Sequence, residues 1–195
     1  MISTEQIKEL RDSTGISVMQ CKKALEEAGG DMEKALIVLR KKGGDIAAKK
    51  ADRTLGAGIV AAYIHGNASV GAMVELSCET DFVAKNAEFK VLAYDIAMHV
   101  AALNPLYIKA EEVPEDAKSK AREVFIKEVE GKPEAMKEKI MEGKLASYFG
   151  EKTLLEQPFI KNPEVTVKGL LDSGVQKFGE KIAVTRFSRF STLEK

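Results

Sequence analysis

Between residues 70 and 103 the hydrophobic repeat of this chain changes from two residues to that of a helix, and this switch constrains the fold more than any other feature. Val70, Ala72, Val74, Leu76 and Cys78 alternate with Gly71, Met73, Glu75, Ser77 and Glu79, the pattern of a strand with one buried and one wet face. From Glu88 onward Phe89, Leu92, Ala93, Ile96, Val100 and Leu103 fall on one side of a helix. A corner must therefore lie between residues 79 and 87, and it reads Glu79-Thr80-Asp81-Phe82-Val83-Ala84-Lys85-Asn86. A large ring beside a carboxylate at a strand end has two physical readings. Either it projects outward for insertion into another protein, or it folds back as a staple on the following helix, with Asp81 or Asn86 as that helix's cap.

The segment before the strand reads as three short helices divided by glycine stops. Ser3 with Gln6 and Ser17 with Gln20 have capping-box spacing, and Asp31 can cap the third helix. Gly15, Gly29-Gly30 and Gly43-Gly44 are expected just past the three helix ends. Val18, Cys21, Leu25 and Ala28 form one stripe, and Met32, Ala35, Leu36 and Leu39 another, enough for a miniature core. Met19 lies off its stripe, free either to fill a gap to the first helix or to dock on a partner.

Residues 44–54 read as a charged, glycine-broken linker; without interleaved aromatics the run suits a solvated connector better than a nucleic-acid arm. Ile59–Ile64 predicts a strand that turns through His65–Ser69 into the alternating one. Helices are expected from Pro114 to about Val129 and from Glu134 to Gly150, the latter carrying Met136, Ile140, Met141, Leu145 and Tyr148, with Gly131-Lys132-Pro133 as punctuation. A short helix over 166–178 and a last strand over 181–190 complete an α+β core domain of residues 55–195 with a small antiparallel sheet. Val91, Ala97, Met98 and Ala101 lie off the central helix's main stripe, so later helices of the chain or a twin subunit must cover them.

Composition narrows the function. The 195 residues carry 30 basic and 30 acidic side chains with a pI near 6.8, which gives no global reason to bind nucleic acid or an anionic membrane. No apolar run is long enough to cross a bilayer and the first residues do not read as a signal peptide, so a soluble, cytoplasmic protein is expected. Cys21 and Cys78 lack C-x-x-C spacing and read as small core residues. His65 and His99 are the only histidines, each more often a satisfied polar group than a ligand. No phosphate-binding glycine loop or nucleophile–base motif is present, so neither enzyme chemistry nor a bound cofactor or metal is expected.

Three stretches in order resemble one family. Leu10-Arg11-Asp12-Ser13-Thr14-Gly15 runs into Met19-Gln20-Cys21-Lys22-Lys23-Ala24-Leu25 and Gly30-Asp31; Thr80-Asp81-Phe82-Val83-Ala84-Lys85-Asn86 follows; then come Ile96-Ala97-Met98-His99-Val100-Ala101-Ala102 and Gln157-Pro158-Phe159, with the helix opening at Thr166-Val167. Together they are similar to elongation factor Ts, the guanine-nucleotide exchange factor for elongation factor Tu. The resemblance implies a ubiquitin-associated-like (UBA-like) three-helix domain over residues 1–43 and a core that grips elongation factor Tu, both GDP-bound and nucleotide-free. It implies that Thr80, Asp81, Phe82 and Val83 form the exchange tip that disturbs the magnesium and phosphate site. It also implies that Arg11, Val18 and Met19 touch the nucleotide-binding domain, and that His99 lies near the interface. Longer family members duplicate the core, whereas here the tip and the Ile-Ala-Met-His helix occur once. A homodimer paired through sheet and helix is therefore expected to supply the missing half. A ribosome- or chaperone-associated helical adaptor is the alternative reading.

Overall fold

The computed structural model describes residues 2–129 and 133–192. The N-terminal module is built from α1 (Thr4–Thr14), α2 (Val18–Glu27) and the first half of α3 (Met32–Lys49). Ser3 and Gln6 form the expected capping box, and Ser17 and Asp31 cap their helices through their side chains. Gly15 ends α1 in the left-handed region at φ 68°, where a Cβ is disfavoured. Leu10, Ile16, Cys21, Ala24, Leu25, Ala35 and Leu39 close the miniature core. Val18 is not part of it, being 53% exposed.

The third glycine stop is absent. Helix α3 passes through Gly43 and Gly44 to Lys49, so the first half of the charged connector is helical. Gly43 is buried, and a Cβ there would come within 3.1 Å of Gln176 Oε1 and 3.3 Å of the Asp172 carbonyl oxygen. Glycine serves here for close approach of two helices rather than for chain reversal.

The core domain carries β1 (Ala57–Ile64), β2 (Val70–Cys78) and β5 (Ile182–Ser191) in one antiparallel sheet of order β1-β2-β5. Between them in sequence lie a single turn α4 (Asp81–Ala84), α5 (Ala87–Leu103), α6 (Glu115–Val129), α7 (Glu134–Gly150), a two-stranded ribbon of β3 (Pro158–Phe159) with β4 (Asn162–Thr166), and α8 (Val167–Phe178). The expected strands and long helices are present. The α4 turn, the ribbon and a short 3₁₀ turn at Ala110–Glu112 carry no hydrophobic period and were not expected. The punctuation expected at Gly131-Lys132 lies outside the described residues.

The inner sheet face presents Ala72, Val74, Leu76, Cys78, Ile182 and Val184 to Phe89, Ala93, Ile96 and Val100 of α5 and to Val167, Leu171 and Val175 of α8. Full burial of one such ring or branched side chain is worth about 1.5–3 kcal/mol. The chain itself covers Ala97 and Ala101, whereas Val91 stays 59% exposed and Leu103, expected inside, is 41% exposed in the last turn of α5. Cross-strand neighbours on the outer face form three rows, Val60–Glu75–Arg186, Ala62–Met73–Ser188 and Ile64–Gly71–Phe190. Thr185 is the extra residue of a bulge opposite Glu75 and Leu76.

Candidate functional site

Leu76 and Cys78 are fully buried as β2 ends, and Val83 and Ala84 return to the same core one turn later. The chain between them can only bend outward. Phe82 stands at the apex of α4, 80% exposed, so the ring does not staple back onto α5. Asn86 supplies the α5 cap by accepting the Glu88 N–H at 2.8 Å. Asp81 lies in the first turn of α4 and is paired with Lys85; the Lys85 ammonium, through its hydrogen bond first and its charge second, holds this carboxyl below the usual carboxylate range.

Residues distant in sequence brace the corner. Thr80 occupies the N-cap position of α4 without a side-chain cap bond. Its N–H and hydroxyl donate instead to the two carboxylate oxygens of Glu180, at 2.9 and 2.5 Å. Glu79 accepts the Lys181 N–H at 2.6 Å and pairs with Arg53 at 3.2 Å, and the Lys181 amide is the main reason that the Glu79 carboxyl titrates low. Lys181 Nζ donates to the carbonyls of Ala51 and Arg53 at 2.6 and 2.7 Å, and Lys50 Nζ donates to the Gly179 carbonyl at 2.7 Å. The turn Gly179-Glu180-Lys181 thus joins the end of α3 to the aromatic corner. Beneath it, Cys78 Sγ donates to the Thr80 carbonyl at 3.1 Å. Burial, followed by the nearby Glu180 charge, pushes this thiol up.

Val18 and Met19 stand side by side on the first turn of α2, 53% and 64% exposed, and Arg11 is exposed beside Asp12 at 3.5 Å. The gap-filling reading of Met19 does not hold. Gln20 does not complete the second capping box; its Oε1 accepts a 2.5 Å hydrogen bond from Gln176 Nε2 of α8, tying α2 to the core.

His99, expected as a core residue near the interface, is fully buried. Its Nδ1 accepts the Ile160 N–H at 3.2 Å, which leaves the proton on Nε2 to donate to Gln157 Oε1 at 2.9 Å. The ring pins the residues on both sides of β3 to α5. Burial, partly offset by the Gln157 bond, pushes its pKa down. His65 is exposed, with Nδ1 3.0 Å from the Tyr63 hydroxyl, and among the described residues no group of His, Cys, Asp and Glu side chains could hold a metal ion. No helix among them is long and apolar enough to cross a membrane.

The corner brings Thr80, Asp81, Phe82 and Val83 together, and the first turn of α2 does the same for Val18 and Met19. Glu180, Lys181 and Arg53 were not found by sequence reasoning, since each acts on a residue at least 26 positions away. The glycine before Glu180 was the only local signal, and it marks a helix end rather than a brace.

Comparison with known proteins gives one consistent answer. The Elongation factor TS family profile matches residues 9–194. Elongation factor Ts of Carboxydothermus hydrogenoformans is 53% identical over 192 residues, covering 97% of this chain and 88% of the relative. That of Thermosipho melanesiensis is 50% identical over the full length of both chains, and that of Thermodesulfovibrio yellowstonii is 51% identical across 97% of this chain and 95% of its own. With an outward aromatic corner on an α+β core, a helical N-terminal module and a match along nearly all its length, the chain belongs to the elongation factor Ts family.

Proposed function

We propose that this chain is a guanine-nucleotide exchange factor that binds elongation factor Tu and promotes GDP release during translation elongation, by insertion rather than by covalent chemistry. The observation that carries the reading is Phe82, a large ring left 80% exposed on a corner whose flanking residues are buried or hydrogen-bonded. A G protein holds GDP through backbone donors around the phosphates and through magnesium. Wedging a ring between its elements, with Asp81 disturbing the groups that order the ion, raises the nucleotide's escape rate without breaking a bond. Val18, Met19 and Arg11 of the helical module dock on the nucleotide-binding domain. The factor binds the loosened, nucleotide-free partner better than the GDP-bound one, so nucleotide weakens the factor by the same factor in return. A thousandfold acceleration requires roughly 4 kcal/mol of barrier reduction, within the range measured for a few buried aromatic anchors.

We further propose that two copies pair through the outer sheet face. Val60, Ile64, Met73 and Phe190 are each between 49% and 71% exposed there, more apolar side chain than an isolated antiparallel sheet normally shows to water.

Stopped-flow release of a fluorescent GDP from elongation factor Tu tests the reading. At saturating concentrations the wild type accelerates release and Phe82→Ala loses at least tenfold of that acceleration. No acceleration by the wild type removes the exchange function and leaves the helical adaptor as the better description.

A further inference from the structure

Thr80 stands where a threonine ordinarily caps a helix by accepting an N–H with its hydroxyl, a bond worth about 1 kcal/mol. It makes no such bond. Both of its donors are turned instead to Glu180, whose two oxygens take the Thr80 N–H at 2.9 Å and the hydroxyl at 2.5 Å. A carboxylate gripping one residue at two points fixes orientation as well as position, and such charge-assisted bonds are the stronger kind. The gripped residue begins the four-residue turn that carries Phe82, a length with little helical stability of its own. Glu180 is half-buried, follows the left-handed Gly179 and precedes Lys181, whose amide and ammonium fasten the turn to Glu79 and to the end of α3.

We infer that Glu180 is a positioning residue for exchange: its carboxylate aligns Thr80 so that the Phe82 ring is held ready for insertion before the partner arrives. The inference rests on the exchange reading above. An ordered wedge avoids the immobilisation cost that a loose loop meets on insertion. Because the docking residues lie on other elements, removing the brace lowers the rate of GDP release within the complex rather than the strength of docking.

The test is a stopped-flow titration of elongation factor Tu loaded with fluorescent GDP against the wild type, Phe82→Ala, Glu180→Ala and Glu180→Gln. Glu180→Ala is expected to lower the maximal release rate about tenfold while the half-saturating concentration stays within twofold. Glu180→Gln, which keeps one acceptor oxygen, falls in between. Wild type that fails to accelerate release removes the exchange reading and this inference with it. Wild type and Phe82→Ala behaving as stated, with Glu180→Ala at the wild-type maximal rate, overturns the brace alone. So does a half-saturating concentration that rises while the maximal rate holds, since that marks a smaller folded fraction. Should Glu180→Ala fail to fold, Thr80→Val removes only the hydroxyl donor and is expected to show the same split at about threefold; a wild-type maximal rate there overturns the brace. The chain has no tryptophan, so Phe82→Trp adds one reporter at the apex. Its anisotropy in the free protein should fall when Glu180→Ala is added, and unchanged anisotropy overturns the inference.

Discussion

Two rings in this molecule show how burial decides a side chain's role. Phe82 was legible as a candidate because a large apolar group at a strand-to-helix corner is conspicuous, yet periodicity could not say whether it pointed out or in. Its neighbours decided that, since Val83 and Ala84 take the places beneath it in the core. His99 was placed in the core near the interface by resemblance alone, and its two hydrogen bonds to residues about 60 positions away were invisible in the sequence. Its titration should be measurable. Above its ordinary pKa of about 6.5 both folded and unfolded chains hold a neutral ring. As pH falls below that value the unfolded chain takes up a proton that the folded chain refuses, its pKa being pushed down by burial. Stability then drops with pH, by up to about 1.4 kcal/mol per unit, until the folded pKa is reached. Urea midpoints recorded between pH 7 and 5.5 should fall more steeply for the wild type than for His99→Gln; parallel curves would remove the assignment. Cys78 offers a second check. Its buried, raised thiol and the buried Cys21 should resist alkylation at pH 8 in the native protein, and both should react once denaturant is added.

At the scale of elements, helix starts were easier to read than helix stops. Capping residues act within one turn of themselves, so Ser3, Ser17 and Asp31 could be placed from local spacing. Gly43-Gly44 was read as a terminus because glycine is favoured just past a helix end. The reason α3 continues lies 129 residues further on, where Asp172 and Gln176 of α8 need the space a Cβ would fill. Gly43→Leu is therefore expected to cost on the order of 1–3 kcal/mol and to speed amide exchange along residues 172–179, while the inner sheet face exchanges as before. Uniform protection after the substitution would show that the helices do not depend on this contact. The bulge at Thr185 and the Glu180 brace escaped notice because each is set by partners far along the chain, and the β3–β4 ribbon because strands of two and five residues are too short to show a period.

For the molecule as a whole, the α+β class followed from the change of hydrophobic period, and the helical module from its own miniature stripe. The outer sheet face was less legible, because β1 alternates weakly, with small alanines between Val60 and Ile64. Placing Phe190→Glu in the Ile64–Gly71–Phe190 row should turn a two-chain sedimenting species into a single chain without altering the far-ultraviolet circular dichroism. A wild type that sediments as one chain, both alone and with elongation factor Tu, removes the pairing. Helix α3 adds a further consequence. Its 18 residues form a rod about 27 Å long whose near half belongs to the helical module and whose far half lies against α8. A rod of that kind works as a dial. One residue inserted between Leu39 and Gly43 would swing the Val18–Met19 patch by about 100° around the axis, while four would return it to within about 40° of its original phase at a reach about 6 Å greater. Lineages that lengthen this helix should therefore do so in whole turns.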